Sequence, residues 1–445
     1  MLKRIMASVA VMLMVGARLA MAQANPLAQM VAPYVDDQTL GVLHVDLSRL
    51  DIDATEKLLL DAIQATKLDA VDKDDVKTGL RQGLPEIRRW VAEFRKAGGR
   101  HVFIVMRFGD LHRSPGLVIA PLEQGGDAKA ISALLFSGKT DGPQNSPPDA
   151  ITFPEATEVV GTTVLMGTRD IVARAKTIKP VARPHLTDAL AAAGDTTFQA
   201  IHMPTEESRK VIEDAVPNLP PELGGGPVTD ITRGFVWGAG SVNSAPKASL
   251  TITFQSQDAD SARALLAVLT KATEFLSKNV GINVQPFANV LSMLLPKQEG
   301  NRLVTAMDQQ QIVAAIDALM PAVVEARSAA CGMVSANNIR QILMACLMYT
   351  QEHKGQWPDD LQTTAKAMKL PDAVLRNPQQ PQAKTPYVYL KPAMPMPAPQ
   401  NTIVVHESTD GARKGINVGF GDGHVEFMTL ESFQKRLQEQ QKPAK

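Results

Sequence analysis

Gly41-Val42-Leu43-His44-Val45-Asp46 and Phe198-Gln199-Ala200-Ile201-His202 are two short runs of strand character, and each opens the same series of elements. After the first comes an amphipathic helix through Leu58, Leu59, Leu60 and Ile63, then strands at 101–106 and 116–120. Asp127-Ala128 then opens a helix carrying Ile131, Leu134 and Leu135. After the second come a helix at about 206–215 and strands at 234–237 and 248–253. Asp258-Ala259 opens the matching helix with Ala262, Leu265, Leu266 and Leu269. The step from the second strand to the third is the same in both copies, from His101 to Gly116 and from Arg233 to Ala248. Each copy closes on a strand and a helix, at 162–166 leading to Asp170 and at 301–305 leading to Asp308. An aspartate at a helix start accepts from free N–H groups and suits the positive end of the helix dipole. The chain therefore reads as a tandem duplication of β-α-β-β-α-(β)-β-α, an α+β unit with a mainly antiparallel sheet. The alternative is two unrelated α+β domains that share short strand patterns.

The boundaries this implies are a leader at 1–22, a first unit at 23–180 and a second at 181–310. A long helix follows at 311–351, then a C-terminal module at 352–430 and a frayed tail at 431–445. The length of 445 residues has room for several cores. Equal numbers of basic and acidic side chains, 46 of each, exclude the strong basic excess of a nucleic-acid-coating protein. Two cysteines cannot build a disulfide scaffold or a Cys-based zinc site. Cys331 and Cys346 share a helical pattern, and one straight helix would hold them ~22 Å apart, too far to bridge. They read as two buried thiols.

Lys3 and Arg4, the apolar run from Ile5 to Val15, and Ala20-Met21-Ala22 form the three parts of a secretory signal cut after Ala22. The run falls short of the ~20 residues a spanning helix needs, and Arg18 interrupts it. Removing the segment takes away Lys3, Arg4 and Arg18 and no acid, so the balanced chain becomes net −3. The expected location is periplasmic or extracellular, with no integral membrane span after cleavage. Gly142 to Pro148 and Leu219 to Pro227 are turn-rich breaks. Gly224-Gly225-Gly226 precedes a strand, not a helix N-terminus, so it reads as a flexible loop rather than a phosphate cradle.

From Gln309 a helical pattern keeps Ile312, Ile316, Leu319, Val323 and Val324 on one face and continues through Ile339, Ile342, Leu343 and Cys346. Pro321, without an N–H, should kink it. The C-terminal end carries Gly355-Gln356-Trp357-Pro358-Asp359-Asp360-Leu361 and Gly415-Ile416-Asn417-Val418-Gly419-Phe420-Gly421-Asp422-Gly423-His424-Val425-Glu426-Phe427. Asp422-Gly423 is a turn dipeptide between apolar runs, which favours a hairpin. Strands are also expected at 387–390 and 402–405. With the helical run at 319–349, these motifs resemble the bacterial prepilin-type, pseudopilin-like family whose C-terminal signature is written H-x9-DG. The resemblance covers about a quarter of the chain and implies a helix packed on a small antiparallel sheet. Ala412 stands where the family has its histidine, and the nearest upstream histidine is His406. A polar stretch and a whole secreted body stand where pilins carry an apolar membrane helix.

Asp422, His424 and Glu426 alternate, so on a strand they would share one face and, with His406 or Glu407, suit a Ca²⁺ or Zn²⁺ site. The resemblance implies calcium in the same region. A solvent-facing polar strand face gives the same pattern. His44 and His202 hold matching strand positions in the two copies. No G-x-S-x-G, H-E-x-x-H or Walker pattern occurs. The expectation is an exported, non-enzymatic envelope protein with protein partners in a secretion- or surface-associated assembly. The alternatives are a small-ligand or lipid-binding protein using the cleft between the duplicated lobes, and a metal-dependent hydrolase built on Asp422, His424 and Glu426.

Overall fold

The computed structural model describes residues 25–111, 114, 116–136, 155–279, 290–380, 383–393, 400–412 and 414–441. The expected signal at 1–22 and the turn-rich stretch at 142–148 lie outside them. Among the described residues no helix is long and apolar enough to cross a membrane. The chain divides into two compact units, Met1–Met320 and Pro321–Lys445.

Among the described residues the first unit contains ten strands: β1 (Thr39–Asp46), β2 (His101–Arg107), β3 (Leu117–Pro121), β4 (Ala156–Val160), β5 (Thr163–Gly167), β6 (Phe198–His202), β7 (Phe235–Asn243), β8 (Ser249–Ser256), β9 (Lys297–Glu299) and β10 (Arg302–Met307). They form one sheet in the order β4-β5-β3-β2-β1-β6-β7-β8-β10-β9. Reading outward from the middle, β1-β2-β3-β5-β4 is matched by β6-β7-β8-β10-β9, which is the order a duplication requires. β4 and β9 are the strands the sequence left in brackets.

The two copies are not separate lobes. β1 pairs antiparallel with β6, setting Gly41 opposite His202, His44 opposite Gln199 and Val45 opposite Phe198. Each would otherwise present an open edge of unpaired N–H and C=O groups, and pairing them removes both edges. The two copies therefore meet in one sheet.

Helices α1 (Pro26–Val31), α2 (Ile52–Ala65), α3 (Ala70–Lys96), α4 (Ala128–Phe136), α5 (Arg169–Ala175), α6 (Pro184–Ala193), α7 (Glu206–Ala215), α8 (Thr229–Thr232) and α9 (Ala259–Asn279) surround this sheet. Asp127 and Asp258 cap α4 and α9 through their side-chain oxygens, as expected. One face buries Val42, Phe103, Ile119, Leu165, Ile201 and Trp237 under α1, α5 and α6. On the other face, α3 and α4 cover Ala120 and Val164 of the first copy with Phe94, Val91 and Ile131. α9 packs on β7, β8, β9 and β10 of the second copy.

The second unit takes in most of α10 (Gln309–Glu352), a helix that starts in the first unit and contains Pro321. The division between the units falls at Pro321, which has no N–H to bond the preceding turn. Beyond it come α11 (Leu361–Ala367), a meander of β11 (Tyr387–Tyr389), β12 (Ile403–Glu407), β13 (Ile416–Phe420) and β14 (Val425–Met428), and α12 (Leu430–Gln441). Ile339, Ile342, Leu343 and Cys346 of α10 bury against Val404, Val405 and Tyr387. Gly419 permits the approach: a Cβ there would lie 2.6 Å from both Ile339 and Leu343. The expected hairpin forms, with Gly423 at φ 93° supplying its turn.

The expected frayed tail is instead the docked helix α12. Phe433 is buried with Ile403, Ile416, Val418 and Phe420, and Leu437 packs beside them. The Gln440 amide accepts from the Ile403 N–H at 2.6 Å and donates to its carbonyl at 3.1 Å, standing in for a strand partner. Both cysteines are free thiols. Cys346 is buried, which pushes its thiol up to about 11, while Cys331 is partly exposed.

Candidate functional site

Between α3 and α4 on one side and α9 on the other, the second sheet face holds a cavity that, among the described residues, is lined by strand residues alone. Register explains its shape. One row across four strands runs Leu43, Ala200, Gly240, Ile252, and the next runs Gly41, His202, Gly238, Phe254. Side chains in one row share a face. In the first row Leu43 and Ile252 flank Ala200 and Gly240, and in the second His202 and Phe254 flank Gly238, so small residues form the floor of a trough. Met106 and Phe235 complete its walls, and its cavity volume is about 280 Å³. That is close to the ~300 Å³ lower bound of pockets that hold small organic molecules. The row beyond, with Phe198 and Val242, leaves those side chains 37% and 36% exposed.

The trough has one polar end. The His202 ring stacks on Phe235 with centroids 5.9 Å apart. Arg209, on α7, donates through Nη2 to the Phe235 carbonyl at 2.7 Å. Its Nη1 is buried and has no hydrogen-bond partner among the described residues. A buried donor without a partner costs ~1–3 kcal/mol. Desolvation by its neighbours, and then the charge of Arg209, lowers the His202 pKa. Glu206 and Glu213, the neighbouring acids, are held by Arg233 at 2.6 and 2.8 Å.

The opposite face carries a buried polar chain at the seam between the copies. The Gln199 Nε2 donates to the Gly194 carbonyl, which fixes the amide orientation. Its Oε1 then accepts from His44 Nδ1 at 3.0 Å, leaving His44 Nε2 to accept from His101 Nδ1 at 3.0 Å. His44 also stacks on Phe103 with centroids 4.5 Å apart. Burial, then the neighbouring His101, pushes His44 down to about 4. Burial would raise the Asp46 carboxyl next to it, but hydrogen bonds from Arg100 and Ser48 outweigh this and hold it at about 2. The expected correspondence of His44 and His202 fails. His44 lies opposite Gln199, so the odd-numbered positions of β6 share its face and His202 points to the other.

Asp422, His424 and Glu426 do not share a strand. Asp422 and His424 sit in the turn that Gly423 makes, and only Glu426 lies on β14. Asp422 accepts from the backbone N–H and the ring Nδ1 of His424, whose ring stacks on Phe420. His406 and Glu407 are buried in other work: His406 bonds a backbone carbonyl and packs its ring at a tilt against Phe433. Among the described residues no group of three or more His, Cys, Asp or Glu could hold a metal ion.

Glu407 has a structural part in the second unit. It accepts from the Asn417 N–H at 2.8 Å and from Asn417 Nδ2 at 2.9 Å, tying β12 to β13. Asn417 Nδ2 also donates to the Gly332 carbonyl on α10 at 3.1 Å. Glu407→Ala strands two buried donors and is expected to cost ~2–4 kcal/mol. Thermal unfolding against wild type checks it, and an unchanged midpoint would refute this part for Glu407.

Comparison of the chain with known protein families, curated proteins and solved structures finds no match.

Proposed function

We propose that the duplicated body is a binding protein for an apolar small molecule or a lipid chain, held in the trough over β1, β6 and β7. The observation that carries this reading is the glycine and alanine floor, which leaves an apolar cavity on the sheet among the described residues. Burying apolar surface there is worth about 25 cal/mol per Å². The location lies at the junction of the two copies. The leader-like sequence at 1–22 supports an exported protein, and the reading invokes no catalysis.

Gly240 gives a clean test. A Cβ added there meets only Ala200, at 4.0 Å, so a larger residue enters the trough without a backbone clash. Wild type is expected to bind N-phenyl-1-naphthylamine saturably with a rise in fluorescence. Gly240→Leu is expected to weaken that binding about tenfold or more, the loss of ~1.4 kcal/mol. Equal affinity in the two proteins would refute the trough as the site.

A second reading assigns the second unit to contacts in an envelope assembly, in line with the pseudopilin-like resemblance. Its support is an exposed apolar stripe on α10, with Met333 69%, Met344 53% and Met348 50% exposed. In-cell crosslinking of a tagged protein tests it, and a protein that captures no envelope component counts against it.

A further inference from the structure

We infer that the outer edge of β14, with the flank of α10 beside it, receives an extended segment of another protein chain, which adds to the sheet as a further strand and presents an acid between apolar residues. This rests on the second reading above and goes further, to the mode of docking and the chemistry of the partner. β14 is the last strand of its sheet among the described residues. The Phe420 N–H donates to the His424 carbonyl at 3.0 Å, so these two form a hydrogen-bonded pair. Such pairs alternate along an antiparallel ladder, which places the bonds to β13 at Glu426 and Met428. The N–H and C=O of Val425 and Phe427 therefore point outward, away from β13. The side chains of the same two residues lie on the α10 face. Phe427 is opposite Asn417, which donates to the Gly332 carbonyl, and Val425 packs with Leu347. Phe427 is 58% exposed.

Met333, Arg340, Met344 and Leu347 recur at helical spacing and share one flank of α10. Leu347 packs with Val425, so this is the flank on the β14 side. Met333, Arg340 and Met344 are exposed. Arg340 is the only charged side chain between Arg327 and Glu352. The acids of the neighbouring hairpin are turned elsewhere: Asp422 bonds His424, and Glu426, opposite Val418, lies on the α12 face. A strand added to an open edge takes affinity from main-chain hydrogen bonds and specificity from alternate side chains. Its residues opposite Val425 and Phe427 lie on the α10 face, beside the methionines and the guanidinium. An arginine framed by apolar groups is complementary to a carboxylate framed by apolar groups. A second copy of this chain fits less well. β14 paired with its own copy about a two-fold axis would turn the two α10 flanks, each with its Arg340, toward one another.

The test is selection of phage-displayed random dodecapeptides on the full-length protein, with the enriched peptides synthesised and titrated by fluorescence anisotropy. They are expected to carry an acid with apolar residues at alternate positions on both sides. Arg340→Glu is expected to weaken them about tenfold, because it exchanges attraction for repulsion. Phe427→Pro, which removes an outward N–H and the exposed ring, is expected to weaken them at least as much. Arg340 is exposed, so Arg340→Glu decides the matter even if Phe427→Pro fails to fold. No enriched peptide, or peptides that bind folded Arg340→Glu as tightly as wild type, overturns the inference. In-cell crosslinking separates it from the assembly reading. An envelope component captured equally by wild type and Arg340→Glu overturns the strand docking and leaves that reading standing. No capture by wild type and no enriched peptide overturns both.

Discussion

Lowering the pH from 7 to about 4.5 is expected to remove about 2–3 kcal/mol of stability from the unit that contains His44. His44 is 2% exposed and held near 4, against 6.5 for a free histidine. Above pH 6.5 both the folded and the unfolded chain carry it neutral, and its contribution is complete. Between 6.5 and about 4 the unfolded chain binds the proton and the folded chain does not, so stability falls with pH. Below about 4 both states are protonated and the loss levels off. His101 adds to the same trend, because burial lowers its pKa too. Asp46 titrates in a separate window, from 3.8 down to about 2, where its stabilisation by Arg100 and Ser48 is lost. Urea unfolding midpoints at several pH values measure the effect. His44→Gln is neutral throughout, so it should be less stable at pH 7 but much flatter between 6.5 and 4. Parallel profiles for the two proteins would show that His44 is not the acid-sensitive group.

Trp237→Ala is expected to cost about 3–5 kcal/mol, the range for emptying a large aromatic site in a packed core. Trp237 is 1% exposed, on the first sheet face beside Ile201 and under α6. The Arg302 guanidinium lies over its ring at 5.7 Å from the centroid. Most of the loss should come from packing, since Arg302→Ala is expected to remove only about 0.5–1 kcal/mol. Trp237→Phe, which refills much of the volume, should lie between the two. Equilibrium unfolding in urea followed by circular dichroism reads all three. A loss below about 1 kcal/mol for Trp237→Ala would mean that the core around β7 collapses freely into the space.

The succession of strands and helices along the chain was legible because alternating apolar residues and aspartate caps are local signals, whereas the order in the sheet rests on long-range pairing. Asp127, Asp258 and Asp308 mark their helices as read. α3 was missed. Gly79, Gly83 and Pro85 break the pattern locally, and the helix persists because Leu84, Val91 and Phe94 bury one face. The trough was missed for a different reason. The expected strand stops at Trp237, since Gly238-Ala239-Gly240-Ser241 has little strand propensity, yet β7 runs on to Asn243. The site is made by side chains that are not there, and a pattern search looks for those that are.

The β1·β6 seam has the form of an isologous contact between two identical subunits, with the same strand from each meeting across an axis. In such a dimer every substitution appears twice, once on each side, and a cleft on the axis must look the same from both ends. A fused chain is free of that rule. Here Leu43 and Met106 stand on one side of the axis, and Phe235, Ile252 and Phe254 stand on the other. The broken symmetry gives the trough a head and a tail. A molecule lying there would meet different walls in its two orientations.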